Sequence, residues 1–187
     1  FDFSNPSKHL PALLAAYAKI TLLEDSHWST IKIKQIKEII EACAGLYLEV
    51  STTNSSTTPN ATIPLNIEVL NRSKATVFLD SYRLIGSASN IVKTQEKELL
   101  NNIRLNIKDT FTIENKEYSD PYWLIEKGSL GMYTVKNQQL IGKPESTRPL
   151  HVAFHLTIGK QEISFTKEVV YRYSKRDKGE LYEPFEI

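Results

Sequence analysis

The sequence predicts a mainly β protein: an immunoglobulin-like antiparallel β-sandwich over residues 46–187, preceded by an N-terminal α-helical hairpin over residues 1–45. Three observations carry this reading. Apolar residues recur at helical steps as far as Gly45, the period falls to two beyond it, and the rest of the chain offers several short alternating runs separated by turn residues. A chain of 187 residues that is 41% hydrophobic and 24% charged can bury a core of its own.

From Ser7 to about Leu23, the residues Leu10, Leu13, Leu14, Tyr17 and Ile20 fall on one helical face, with Pro11 in the first turn, where a missing N–H costs little. "EDSHW" breaks the pattern, and Asp25 or Ser26 is placed to cap a second helix. That helix carries Trp28, Ile31, Ile36, Ile39, Ile40 and Cys43 on its apolar stripe, with Lys32, Lys34, Lys37 and Glu38 mostly off it, and Gly45 offers the stop. The short connection makes the pair an antiparallel hairpin, and helices this short need something to bury against.

After Gly45, "LYLEV" (46–50) alternates and "STTNSSTTPNAT" (51–62) reads as a polar loop. In "IPLNIEVLN", Ile63, Leu65, Ile67 and Val69 share one face, opposite Pro64, Asn66 and Glu68. "NRSK" turns the chain into "ATVFLDSYRL", and further strands are predicted at 102–107, 149–158 and 161–173. Gly159-Lys160 between two alternating runs is a hairpin signal. No internal repeat is present.

Composition excludes several classes of function. A formal net charge of +1, from 23 Lys+Arg and 22 Asp+Glu, gives no broad field for nucleic acid or anionic lipid, and no membrane span is predicted. The run "SKRDKGE" mixes both signs and reads as a solvated turn. The single cysteine, Cys43, rules out an internal disulfide and any cysteine-based zinc cluster. The opening "FDFSNPSKHL" has neither an initiator Met nor a leader-like run, so a piece of a longer protein is expected.

His151 and His155 share a strand face, but four residues apart their backbones are separated by roughly 13 Å, too far for easy joint ligation of one ion. An enzymatic site would have to be assembled from His151, His155, Arg148 and Glu145, and this is the weakest reading. His9 and His27 sit at helix starts. Gly-rich phosphate loops, nucleophile elbows and His-Glu-x-x-His are all absent from the sequence, and spacing singles out no paired carboxylates. The sequons at Asn54, Asn60 and Asn71 read as loop and turn polarity.

"HLPALLAAY", "ACAGLYLEV", "VLNRS", "SDPYWL", "LGMYTV", "LIGKPE" and "VVYRYSKRDKGELYEPFEI" follow one another in an order that resembles the region downstream of the catalytic domain in bacterial PIG-L/LmbE-like deacetylases. The resemblance spans nearly the whole chain. It implies an upstream Rossmann-like domain that uses zinc to deacetylate an N-acetylated amino sugar, and a periplasmic or secreted location. The His-Pro-Asp-Asp zinc motif has no counterpart in residues 1–187, so no catalytic residue and no cofactor carry over, and zinc is expected only in the parent's catalytic domain. The expected partner is that catalytic domain of the same polypeptide, with carbohydrate as a further candidate.

The stretch "SDPYWLIEKGSLGMYTV" (119–135) then reads as a strand, a turn at Gly128 and Gly131, and a return strand. Trp123 is expected to organise the space between the two sheets. The functional alternative puts Tyr122, Trp123 and Tyr133 on a groove edge facing sugar or the catalytic domain. Two functions follow: a non-catalytic accessory module, or an autonomous carbohydrate-binding or adhesion module.

Overall fold

A computed structural model describes all residues except 25, 87–90, 115–117 and 147, so the cap expected at Asp25 lies outside the described residues. A 3-10 turn (Pro6–His9) leads into α1 (Leu10–Ile20), and α2 (Ser26–Ala44) follows. Gly45 ends α2 at φ 61, a left-handed conformation that favours glycine. Its carbonyl accepts the Arg72 N–H at 3.0 Å, which ties the helix end to the turn after the second strand.

Ile36, Ile40, Cys43 and Ala44 are buried on α2, and Leu10 joins them from α1 in one cluster with the strands. Trp28 and Ile39, placed on the apolar stripe by sequence, are exposed instead. Only the C-terminal half of α2 supplies its buried residues, and Ile39 lies about 60° around the axis from Ile36. Trp28 carries the Lys32 ammonium 5.9 Å from its ring centroid. Toward its C-terminus α2 lies against strand residues 165–167, where Glu41 bonds Lys167 at 2.6 Å and Lys37 sits 5.6 Å from the Phe165 ring.

The strands are β1 (Leu46–Thr52), β2 (Thr62–Asn71), β3 (Val77–Ile85), β4 (Val92–Glu98), β5 (Leu105–Thr112), β6 (His151–Ile158), β7 (Gln161–Lys175) and β8 (Gly179–Pro184). They form one sheet in the order β4-β3-β6-β7-β1-β2-β5, with β8 also on β7. The mainly β class and the helical hairpin are as the sequence predicts, but the all-antiparallel sandwich is not what forms. β1 runs parallel to β7, so the sheet is mixed. The cause is the length of β7, which spans 15 residues. Its first half pairs with β6, Val169–Tyr171 pair with β1, and Val170–Lys175 pair with β8, so the two halves become one continuous curled sheet.

The curl brings the two ends of the strand order together, as in a half-barrel. Lys93 on β4 bonds Asp109 on β5 at 3.0 Å, and the Tyr82 hydroxyl on β3 donates to the same carboxylate at 2.7 Å. Ile63, Leu65, Ile67, Leu79, Phe154, Leu156 and Phe165 fill the space within, all of them buried. Asn71, one of the three sequons, is also buried: its amide donates to the carbonyls of Ala75 and Leu99, which makes it an organiser of the β2–β3 turn.

β4 and β8 have no counterpart in the sequence reading. The strand, turn and return strand expected over 119–135 do not form either. That stretch is a succession of turns with one isolated bridge between Ser129 and Met132. Its backbone is tied to the C-terminus and to a neighbouring loop, and no sheet edge runs alongside it: Ser119 N–H donates to the Ile187 carbonyl at 2.8 Å, and Tyr122 N–H to the Ser146 hydroxyl at 2.9 Å.

Candidate functional site

The connection 113–150 between β5 and β6 contains, among the described residues, a single 3-10 turn, Gln138–Leu140. Connections this long without regular structure are uncommon in compact domains and tend to be functional. Its base is fastened: the Ser146 hydroxyl donates to the Asp120 carbonyl, and the Tyr122 hydroxyl to the Lys143 carbonyl. Above that base, Tyr118, Leu124, Ile125, Leu130, Met132, Tyr133 and Ile141 are all exposed.

Of the aromatic residues singled out in sequence, Tyr122 and Trp123 are brought together. Their rings meet edge to face, with centroids 4.9 Å apart and planes at 89°. Both are half-buried, so Trp123 belongs to the base of the loop and does not sit between two sheets. It borders a cavity of about 200 Å³ with Pro121, Pro144, Pro149, Arg148 and Glu186. Tyr133, 68% exposed, is not among the residues bordering that cavity.

Arg148 and Glu145 are ion-paired, and Arg148 also lies 3.6 Å from Glu186 and 3.8 Å from Glu168. His151 stands 3.9 Å from Glu168. His155 lies on the same strand face but borders a different cavity, with Asp80, Thr157, Glu162 and Ser164. Among the described residues, no group of three or more His, Cys, Asp or Glu is placed to hold a metal ion.

A second site was invisible in sequence. Glu49 on β1 and Glu68 on β2 stand directly opposite one another across the pair. Arg172 reaches over from β7, with Nη1 at 2.9 Å from Glu49 and 3.4 Å from Glu68, and Arg104 holds the other oxygen of Glu68 at 2.7 Å. The Tyr47 hydroxyl donates to Glu49, and the Arg72 guanidinium lies 5.3 Å from the Tyr47 ring. Burial opposes the charge on Arg172, but Glu49 and the Tyr182 hydroxyl outweigh it and raise its pKa. Burial and the adjoining Glu49 carboxylate likewise push the Tyr47 phenol up. Alternation places each Glu opposite the apolar face of its own strand and marks both as polar positions. Only the register reveals that they face each other.

Beside this ladder the outer face of the sheet is concave. A groove of about 700 Å³ is lined by Ser51, Pro64, Asn66, Lys108, Thr110 and Arg172 among others. Ser51, Asn66 and Lys108 are consecutive partners across β1, β2 and β5 and form one row; Pro64 and Thr110 form another.

No protein-family description matches the sequence, and no curated protein does. Among solved structures, the alkylpurine DNA glycosylase AlkC of Pseudomonas fluorescens, bound to DNA containing an abasic site analog, is 10% identical with a TM-score of 0.32, over 87% of this chain and 45% of that one. A β-glucosidase from Erythrobacter marinus is 10% identical with a TM-score of 0.28, over 67% of this chain and 15% of its own. A β-glucosidase from Listeria innocua in complex with glucose is 13% identical with a TM-score of 0.28, over 66% and 16%. The chain thus spans less than half the length of each. Likeness at this level carries no conclusion about fold or function.

Proposed function

We propose that this chain is a non-catalytic accessory module, held by its curled sheet and helical hairpin, that docks through residues 118–141 onto a larger folded domain of the same polypeptide. The observation that carries the reading is the seven large apolar side chains exposed along that one irregular segment. Exposed apolar surface concentrated in one place marks an interaction site more often than a solvated loop. The segment's fastened base supports the same reading, because it anchors a loop whose large apolar side chains are left exposed.

The resemblance to the region downstream of PIG-L/LmbE-like catalytic domains supplies the partner: a zinc-dependent deacetylase domain of N-acetylated amino sugars, in a periplasmic or secreted protein. An overall charge near neutrality suits docking by apolar shape complementarity. No described helix is long and apolar enough to cross a membrane.

The test begins with the coding region upstream of Phe1, where a His-Pro-Asp-Asp motif in a βαβ pattern is expected. Hydrogen exchange then compares the full polypeptide with residues 1–187 alone. Amides of 118–141 should be slowed in the full polypeptide. Equal exchange in both, or sandwich repeats in place of the zinc motif, overturns the proposal and favours the carbohydrate or adhesion module, which predicts sugar binding lost on Trp123→Ala.

A further inference from the structure

The outer-face groove carries a charge account that points to a ligand. Two carboxylates, Glu49 and Glu68, are matched by two guanidiniums, Arg172 and Arg104. Asp109 is engaged with Lys93 and Tyr82. Lys108, exposed on β5, makes no ion pair or side-chain hydrogen bond among the described residues, and so leaves the groove one uncompensated positive charge. In the same row stands the side-chain amide of Asn66, whose backbone carbonyl accepts from the buried Ser51 hydroxyl at 3.5 Å, and in the next row the Thr110 hydroxyl beside the apolar Pro64 ring. A guanidinium has five donors, more than the Arg172 contacts to Glu49, Glu68 and Tyr182 use.

We propose that this groove binds a hydroxylated ring bearing a single carboxylate, the chemistry of a uronic acid residue. The carboxylate meets Lys108, the apolar face of the ring lies over Pro64, and the hydroxyls exchange hydrogen bonds with Asn66 and Thr110. One free ammonium matches one negative charge, whereas a phosphate dianion would add repulsion from Glu49 and Glu68 that nothing offsets. The side chains that can both donate and accept suit a polyol. The groove shares no residue with segment 118–141, so this inference stands apart from the docking proposal.

The test is a titration of the isotope-labelled 187-residue chain with galacturonate and with trigalacturonate, followed by amide chemical shifts, with galactose and galactose 6-phosphate as controls. Saturable shifts are expected at Asn66, Lys108 and Thr110 with a roughly millimolar Kd, and galactose should bind about tenfold more weakly. Lys108→Gln removes the charge from an exposed edge-strand position and should cost about tenfold in affinity with the spectrum otherwise unchanged. Thr110→Ala should weaken binding by a smaller factor. Tighter trimer binding indicates a polymer as the source, and equal affinity indicates the free acid; both sustain the proposal. It is overturned by the absence of saturable shifts up to about 50 mM, by shifts that map elsewhere, by unchanged affinity in Lys108→Gln, or by preference for the phosphate.

Discussion

Arg172 resolves a conflict created by strand register. Like charges directly opposite on neighbouring strands destabilise a sheet, and Glu49 and Glu68 are such a pair, with Glu68 only 4% exposed. Arg172→Met leaves them facing with Arg104 alone and should cost about 2–4 kcal/mol in urea unfolding, toward the lower end of a broken buried pair because Arg172 is itself partly exposed. A loss within about 0.5 kcal/mol, the scatter of ordinary surface substitutions, would show that the ladder is incidental. Asp109 makes a second prediction. Burial raises its carboxyl, but hydrogen bonds from Tyr82 and Lys93 outweigh that and hold it below the usual carboxylate range. A depressed folded pKa stabilises above the unfolded value of about 3.9 and loses that contribution as pH falls through the folded one. Asp109→Asn should therefore melt below the parent at pH 7, with the gap closing on acidification below about pH 4. A gap independent of pH would place the effect in packing.

At the scale of elements, Gly86 offers the sharpest test. It closes β3 at φ 108, and a Cβ there would lie 2.3 Å from the Pro149 carbonyl oxygen and 2.9 Å from a Leu150 methyl. Gly86→Ala should cost about 2 kcal/mol or more, read by thermal unfolding, since neither the backbone conformation nor the neighbouring chain accommodates it. An unchanged melting temperature would mean that the β3 end and the 149–150 segment do not meet. The same contrast between local pattern and long-range meeting decides what was legible in sequence. α1, α2, β1, β2, β3, β6 and the first part of β7 could be read because each buries one face, as Ile63, Leu65, Ile67 and Val69 do on β2. β4, with the sequence VKTQEKE, has no such face and is a strand because β3 offers it an edge. Whether strands form two sheets or one depends on which edges of β7 are used along its length, and side-chain alternation does not encode edges. The facing carboxylates escaped for the same reason. The residues 119–135 misled because aromatic spacing around Pro121 and two glycines looks like a hairpin, while the path is set by tethers to Ile187 and Ser146, far away in sequence.

At the scale of the whole molecule, the unresolved tension is between a well-filled interior and the apolar side chains left outside it. Leu130, Met132 and Tyr133 contribute little to the stability of the chain alone because each is largely exposed. Replacing all three by Ser should shift its unfolding free energy by no more than about 0.5 kcal/mol per site. Trp123→Ala, half-buried at the loop base against Tyr122, should cost more, about 1–2 kcal/mol, less than a fully buried Trp would. Docking of 118–141 on a neighbouring domain, as proposed, reverses the ranking in the full polypeptide. Each large apolar side chain that becomes fully covered contributes about 1.5–3 kcal/mol, so the triple Ser variant should forfeit about 5–9 kcal/mol of interdomain contact while leaving this domain folded. Limited proteolysis of the full polypeptide reads the difference directly: under the docking proposal the triple variant should be cut outside residues 1–187 much faster than the parent, and the fragment containing these residues should resist further cleavage. Equal cutting rates would mean that the segment faces water in the full protein as well, and the reason for its seven apolar side chains would have to be sought in a separate partner.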